Sequence, residues 1–151
     1  MYALSYTVEV NPAGAAPVLT AEQVWKGLEM KAANALPFVP GMTRCDVVER
    51  GENMLRREIS VPGGDFEERI TFFPPVQVHF ERVGSGGFIE NTISDSDAGL
   101  LLTFTFALPF EGTAAGSAEE RAKGEGMRAS YVAAVSATLA KVRELVASGK
   151  L

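Results

Sequence analysis

The longest helical pattern in the chain lies near its C-terminal end. Ser117 followed three residues later by Glu120 forms a capping box, which predicts that a helix begins there and continues to Ala147. Gly149 is the expected C′ residue after it. Apolar residues recur at steps of three or four and define one stripe on this helix. The stripe comprises Met127, Tyr131, Val135, Leu139, Val142 and Val146.

Two glycines, Gly124 and Gly126, interrupt the start of this helix. Each costs up to about 1 kcal/mol relative to alanine in a helix interior. We therefore expect mobile first turns, which together with the loops around Phe38 and Pro109 would form a flexible entrance to the interior.

Most of the remaining chain alternates between apolar and polar residues, as strands with one buried face do. Residues 2–10 form the first such segment, and five or six more follow, of which 100–108 is the most apolar. Short turn sequences such as Pro62-Gly63-Gly64-Asp65 and Gly84-Ser85-Gly86-Gly87 separate them. Links of this length favour antiparallel neighbours.

Helical signals also occur between the first strand and the others. Thr20 and Gln23 form a capping box, and a second short helix is predicted over Ala32–Leu36, ending before Pro37. One long helix, two short helices and many strands predict a single α+β domain over residues 1–151. In that fold a curved sheet grips the last helix and leaves an internal cavity.

Composition and charge exclude several classes of function. The net charge of −5 argues against nucleic-acid binding, which needs clustered Lys and Arg. No apolar run is long enough to insert into a membrane, and residues 1–10 do not form a signal peptide. Cys45 is the only cysteine, which fits a reducing cytoplasmic location.

Three predicted strands each carry one polar residue on the face that alternation places inward. These residues are Arg57, Glu68 and Asn91. A hairpin turn at Gly63-Gly64 makes Arg57 and Glu68 diagonal cross-strand neighbours, and a turn at the following prolines places Glu68 opposite Phe80. The three side chains could anchor the polar end of a ligand in an apolar cavity. They could also form a structural ion pair, or lie in solvent if the register is shifted by one residue.

Other chemistry-bearing residues give weaker signals. Cys45 lies on an inward face and is expected to be a small buried apolar residue, whereas His79 lies on the polar face beside Gln77 and Glu81. The sequence contains no metal-ligand spacing, phosphate-binding loop or dinucleotide fingerprint, so neither a metal nor a cofactor is expected.

Several short motifs spread over nearly the whole chain carry a family resemblance. They are Leu19-Thr20-x-x-Gln23-Val24-Trp25-x-Gly27-Leu28, Phe38-Val39-Pro40-Gly41, Arg57-Glu58-Ile59, Asn91-x-Ile93 and Tyr131-x-x-Ala134-Val135-x-x-Thr138-Leu139-x-x-Val142-Arg143-Glu144. With the order of elements, they resemble the START/SRPBCC superfamily, which has the birch-pollen-allergen fold, and within it the AtaL-like family. The resemblance implies a helix-grip fold with a seven-stranded antiparallel sheet. Members of the superfamily bind lipids, hormones or polyketides, and some act as cyclases or aromatases. The motifs are structural, so no catalytic residue is assigned.

Three functions remain open from the sequence. The first is the binding of a small apolar or aromatic metabolite in the cavity. The second is a polyketide cyclase or dehydratase-like enzyme with Glu68 as general base, although an intact Arg57–Glu68 pair would make Glu68 a poor base. The third is an interaction module without a small ligand. The residues expected to bind the ligand are Arg57, Glu68, Asn91, Tyr6, Trp25, Phe72, Phe80, Phe104, Met127 and Tyr131.

Overall fold

The computed structural model describes residues 1–151, which form seven strands and two helices. All neighbouring strands pair antiparallel in one sheet with the order β1-β7-β6-β5-β4-β3-β2. In chain order the elements are β1 (Tyr2–Glu9), α1 (Ala21–Ala33), β2 (Arg44–Gly51), β3 (Met54–Val61), β4 (Gly64–Phe73), β5 (Gln77–Val83), β6 (Phe88–Ser94), β7 (Leu101–Leu108) and α2 (Ala118–Ala147). The α+β architecture and the seven-stranded sheet agree with the sequence prediction.

Both helices begin where their capping signals predict. In α1 the Thr20 hydroxyl accepts from the Gln23 amide at 3.2 Å, and the Gln23 side chain accepts from the Thr20 amide at 2.9 Å. In α2 the Ser117 hydroxyl accepts from the Glu120 amide at 3.1 Å. The Glu120 carboxylate reaches one residue further back and accepts from the Gly116 amide.

The prediction of two short helices after the first strand is wrong. The single helix α1 runs through Ala33 and ends at Asn34, whose backbone is extended. After it, the amides of Phe38 and Val39 both bond to the carbonyl of Ala35, which closes one turn only. Pro37 disfavours helical backbone at the residue before it, and its ring has no amide to continue a helix.

The two helices cover the concave face of the sheet. Helix α2 packs mainly on β1 and β7, α1 packs on β5 and β6, and the two helices also pack on each other. The C-terminal half of α2 supplies the core residues Val135, Leu139, Val142 and Leu145. The predicted stripe is therefore buried there, whereas Met127 at its other end is 39% exposed.

The opposite face of the sheet is polar. It carries hydroxyl pairs such as Ser5–Thr105 at 3.0 Å and Thr7–Thr103 at 2.7 Å. Neither helix of the structure is long and apolar enough to cross a membrane.

The strand register differs from the predicted one by two residues. The turn between β3 and β4 pairs Val61 with Gly64, so Arg57 lies directly opposite Glu68 and not diagonally. In the next pair of strands, Glu68 lies opposite Arg82 and not opposite Phe80. The predicted inward faces are nevertheless right, because a shift of two residues preserves the alternation.

Gly124, at the start of α2, packs closely against β1. A Cβ at this position would lie 2.1 Å from Cγ of Tyr2, so only glycine allows the helix to approach that ring. Gly126 has no atom within 4 Å of a Cβ placed on it. The first glycine therefore has a packing role, and the predicted mobility of the first turns stays a prediction.

A second glycine sets the distance between the helices, and this gives a test of the packing. A Cβ on Gly27 of α1 would lie 2.3 Å from Cγ2 of Val142 in α2. We expect Gly27→Ala to lower the free energy of unfolding by about 1–3 kcal/mol, as overpacking does. The control Gly126→Ala should raise it by up to about 1 kcal/mol. Chemical denaturation measures both, and equal effects would contradict the close contact.

Candidate functional site

Arg57 lies at the centre of a buried charged group. Its side chain is 3% exposed and points from β3 towards the helices. Its Nε and Nη2 atoms donate to Oε2 of Glu68 at 2.8 and 2.7 Å. Its Nη1 atom donates to the carbonyls of Lys31 and Ala32 at the end of α1, each at 2.9 Å. Arg57 thus joins α1 to two strands of the sheet.

Glu68 is held between two arginines. It is 2% exposed, and its second oxygen, Oε1, accepts from Nε of Arg82 at 3.0 Å. The Arg82 guanidinium in turn lies over the ring of Phe66 at 4.1 Å. Because guanidinium donors occupy both carboxylate oxygens, Glu68 has little capacity to take a proton from a substrate.

Asn91 contacts a residue that the sequence reasoning did not single out. Its Oδ1 atom accepts from Nζ of Lys31 at 2.7 Å, and both side chains are buried. The same Nζ lies over the rings of Phe104 at 4.4 Å and Phe80 at 5.0 Å. We call Arg57, Glu68, Arg82, Lys31 and Asn91 the inner polar cluster.

Lys31 is inside because of its position on α1. It follows Leu28 by three residues and Val24 by seven, which places all three on the same helical face. Burial lowers the pKa of Lys31 from 10.5 to about 7; the nearby Arg57 charge acts in the same direction, and Glu68 opposes it in part. An amine in this position exchanges its proton near neutral pH.

The predicted apolar ligand residues fall into three groups. Phe80 and Phe104 are buried and touch Lys31 of the inner polar cluster. Trp25 and Phe72 form a separate edge-to-face pair with ring centroids 6.3 Å apart. The remaining three lie near the outer part of α2 and β1: Tyr6, Met127 and Tyr131.

The outer group is partly exposed and packs on the apolar core through Tyr131. The Tyr131 ring stacks on Phe106 with centroids 4.4 Å apart, and Tyr6 is 36% exposed. Burial raises the pKa of Tyr131, and the charge of Arg82 partly opposes this effect.

Two hollows lie away from this cluster. One, of about 510 Å³, is bordered by β1, the loop after it and α2, with Pro12 and Arg143 among its lining residues. The other, of about 270 Å³, lies at the start of α2 beside Tyr2. Neither is lined by Arg57, Glu68 or Asn91.

Cys45 and His79 lie where their sequence patterns indicate. Cys45 is partly buried, and its sulfur accepts weak hydrogen bonds from the Ala35 amide at 3.3 Å and from Arg57 at 3.7 Å. His79 contacts Glu90 at 3.0 Å and stacks on Phe88. It lies on the polar face of the sheet and is not part of the inner polar cluster.

Two residues of the inner polar cluster, Lys31 and Arg82, were not predicted from the sequence, and neither was the burial of Thr138 in α2. Thr138 is fully buried in α2, and its hydroxyl has no hydrogen-bond partner. Lys31 follows Leu28 by three residues, and this spacing indicated that Lys31 shares the buried face of the helix. Arg82 shares the inward parity of Phe80, two residues before it, so alternation could have found it as well.

The fold is that of the helix-grip proteins. The chain resembles the ZhuI aromatase/cyclase from Streptomyces sp. R1128, with a TM-score of 0.70, 20% identity, and 99% of each chain covered. It also resembles an 18 kDa protein from Caulobacter crescentus, with a TM-score of 0.68, 14% identity, and 97% and 99% of the two chains covered. For the di-domain aromatase/cyclase BexL of the BE-7585A biosynthetic pathway, the TM-score is 0.65 at 16% identity. There the match covers 95% of this chain and 49% of BexL, so the chain spans about half of that relative.

The amino-acid sequence identifies the family of this chain among the helix-grip proteins. Residues 4–149 match the family model described as AtaL, acetylaranotin biosynthesis cluster protein L. The chain therefore belongs to the AtaL family. No curated protein matches the sequence significantly.

The buried lysine gives a prediction about stability and pH. The pKa of Lys31 is about 7 in the folded protein and 10.5 ordinarily. Between these two pH values Lys31 is therefore protonated in the unfolded chain but largely neutral in the folded protein. The contribution of Lys31 to the free energy of unfolding should therefore rise with pH across this window and be constant below it. Lys31→Met should remove this rise and stabilise the protein by a few kcal/mol at pH 7.

Urea denaturation at several pH values measures this contribution as the difference between wild type and variant. Lys26→Met is the matched control, because Lys26 lies on the same helix in an exposed pair with Glu22. A Lys31→Met protein that is less stable than wild type at every pH would contradict the assignment of an uncompensated charge.

A second prediction separates the buried ion pair from its surface neighbour. Glu68→Gln should lower the free energy of unfolding by about 3–5 kcal/mol, because the buried Arg57 and the partly buried Arg82 lose their counter-charge. Glu67→Gln, in the adjacent exposed pair with Arg56, should cost at most about 1 kcal/mol. Similar losses in the two variants would show that water reaches Glu68.

Proposed function

We propose that this protein binds a small aromatic or otherwise apolar ligand between the concave face of the sheet and α2. In this proposal the ligand's polar end lies on Arg57, Glu68 and Asn91. The observation that supports it best is the inner polar cluster itself, a group of buried charges surrounded by aromatic rings.

Burying charges in such a cluster costs desolvation free energy, so stability alone does not explain why the cluster is there. Well-packed apolar residues of similar volume are often as stabilising as a buried ion pair, or more so. Here the cluster lies at the middle of the sheet, and Phe80 presents its ring to both Arg57 at 5.3 Å and Lys31 at 5.0 Å. Few polar groups within aromatic walls are the usual composition of a small-molecule site.

In this proposal the ligand enters the space between the sheet and α2 from its partly exposed side. Tyr6 and Met127 keep 36% and 39% of their surface exposed, although both side chains belong to predicted inward patterns. Tyr131 follows Met127 by one turn of α2 and stacks on Phe106. The inner residues are packed together, so binding requires inner side chains to move.

The comparisons support a polyketide-like ligand. Two of the similar structures are named as aromatase/cyclases, and the family is named after a protein of a biosynthesis cluster. These likenesses lie at or below 20% identity, and one fold carries many functions. They therefore give the class of ligand to test first.

Cyclase or dehydratase activity is a second candidate, which the same comparisons favour. The version with Glu68 as general base is disfavoured, because both of its oxygens accept from arginines. Lys31 is a better candidate for moving a proton, since its pKa is lowered to about 7. Turnover of an aromatic polyketide that is lost in Lys31→Met would favour this candidate.

The binding proposal is tested with two planar probes, naphthoate and its neutral amide, naphthamide. We expect both to bind with one-to-one stoichiometry and to perturb the amide NMR signals of α1, β6 and the middle of α2. Tyr131→Leu should weaken both by several-fold, because a stacking surface is lost. Phe73→Leu is the control, since Phe73 is 53% exposed at the end of β4.

Two results would contradict the proposal. One is the absence of binding by both probes. The other is a set of perturbed signals confined to the hollow beside Pro12 and Arg143, which would place the ligand outside the grip.

A further inference from the structure

The Lys31–Asn91 pair has more hydrogen-bond donors than acceptors. A lysine ammonium only donates, so the Asn91 atom 2.7 Å from it is the amide oxygen. The Asn91 nitrogen, Nδ2, is then left buried without any partner. Asn91 Oδ1 is the one oxygen that accepts from the ammonium, and two aromatic rings lie beside the same Nζ.

The surrounding charges reinforce this imbalance. Arg57 on β3 and Glu68 on β4 are the charged groups that act on Lys31, and Arg82 on β5 binds the second oxygen of Glu68. From β6 and β7 the lysine meets only the Asn91 amide and the Phe104 ring. One carboxylate therefore faces two guanidinium groups and one ammonium, so Lys31 has no counter-ion of its own.

We propose that Lys31 and Asn91 form an oxyanion-binding subsite, which holds an acidic oxygen of the ligand such as an aryl carboxylate, phenolate or enolate. This inference rests on the proposed function and specifies the chemical class of its ligand. An oxygen between Nζ and Nδ2 would accept from both atoms and supply the missing counter-charge. A neutral ligand without an acceptor would leave the Asn91 donor unpaired and the charge uncompensated.

The subsite predicts proton uptake on binding. An anion beside Lys31 favours its charged form and so raises its pKa above about 7. Near and above that pH, each bound anion should bring with it up to one proton. The affinity for the anion should then fall by up to roughly tenfold per pH unit between about pH 7 and the pKa of Lys31 in the complex, and level off above it.

The experiment compares naphthoate with naphthamide by isothermal titration calorimetry of the intact chain. We expect naphthoate to bind roughly tenfold more tightly or better at pH 7, as a charge-assisted hydrogen bond provides. Titrations in buffers of different ionisation enthalpy at pH 8 should show proton uptake with naphthoate and none with naphthamide.

Variants test whether the preference for naphthoate and the proton uptake depend on Lys31 and Asn91. Lys31→Met should abolish the preference for naphthoate and the proton uptake while naphthamide still binds, and Asn91→Leu should reduce the preference. Lys26→Met should behave as wild type. The pH dependence and the proton uptake are measured on the wild-type chain, so the test does not depend on either variant folding.

The outcomes separate this inference from the proposed function. Equal binding of the two probes, or naphthoate binding without proton uptake, would overturn the oxyanion subsite and leave the binding function standing. Retention of the preference in a folded Lys31→Met protein would do the same. Binding of neither probe would overturn the proposed function and the subsite with it.

Discussion

The contact of Arg57 with the end of α1 is the interaction on which the rest of the site depends. The last carbonyls of a helix lack partners within the helix and carry its negative dipole end. Arg57 donates to two of them, those of Lys31 and Ala32, and binds Glu68 with its other nitrogens. A strand residue thus caps the helix. This contact fixes α1 over the sheet, and the Lys31 side chain consequently lies next to Asn91.

Strand alternation predicted the inward face of the site, and it did so despite an error in the register. Placing the β3–β4 turn at Gly63-Gly64 was wrong by one residue, since Val61 pairs with Gly64. Moving a turn by one residue shifts every pair by two, and a period of two is unchanged by that shift. The inward positions of Arg57 and Glu68 therefore survived. Their direct opposition could not be predicted, because the turn residues were compatible with both positions.

The helical half of the site was harder to predict, because it depends on tertiary contacts. A lysine in a helix is ordinarily solvated, whereas Lys31 is buried on the inner face of α1 and donates a hydrogen bond to Asn91 from another part of the chain. The predicted helix over Ala32–Leu36 failed for a related reason. Local sequence indicated helix there, but the carbonyls before Asn34 bond to Arg57, and the chain leaves α1 at that point.

The cluster combines a rigid structural part with a part that lacks partners. Glu68 and the two arginines satisfy one another, and they hold the end of α1 in place. Lys31 belongs to that same helical end, so its ammonium is held beside Asn91 and the Phe104 ring without a counter-ion. Interactions that are already positioned lose less entropy when a ligand binds. The ion pairs therefore hold the helix end in position, and the unpaired donors of Lys31 and Asn91 are left in a fixed arrangement that suits an acidic oxygen.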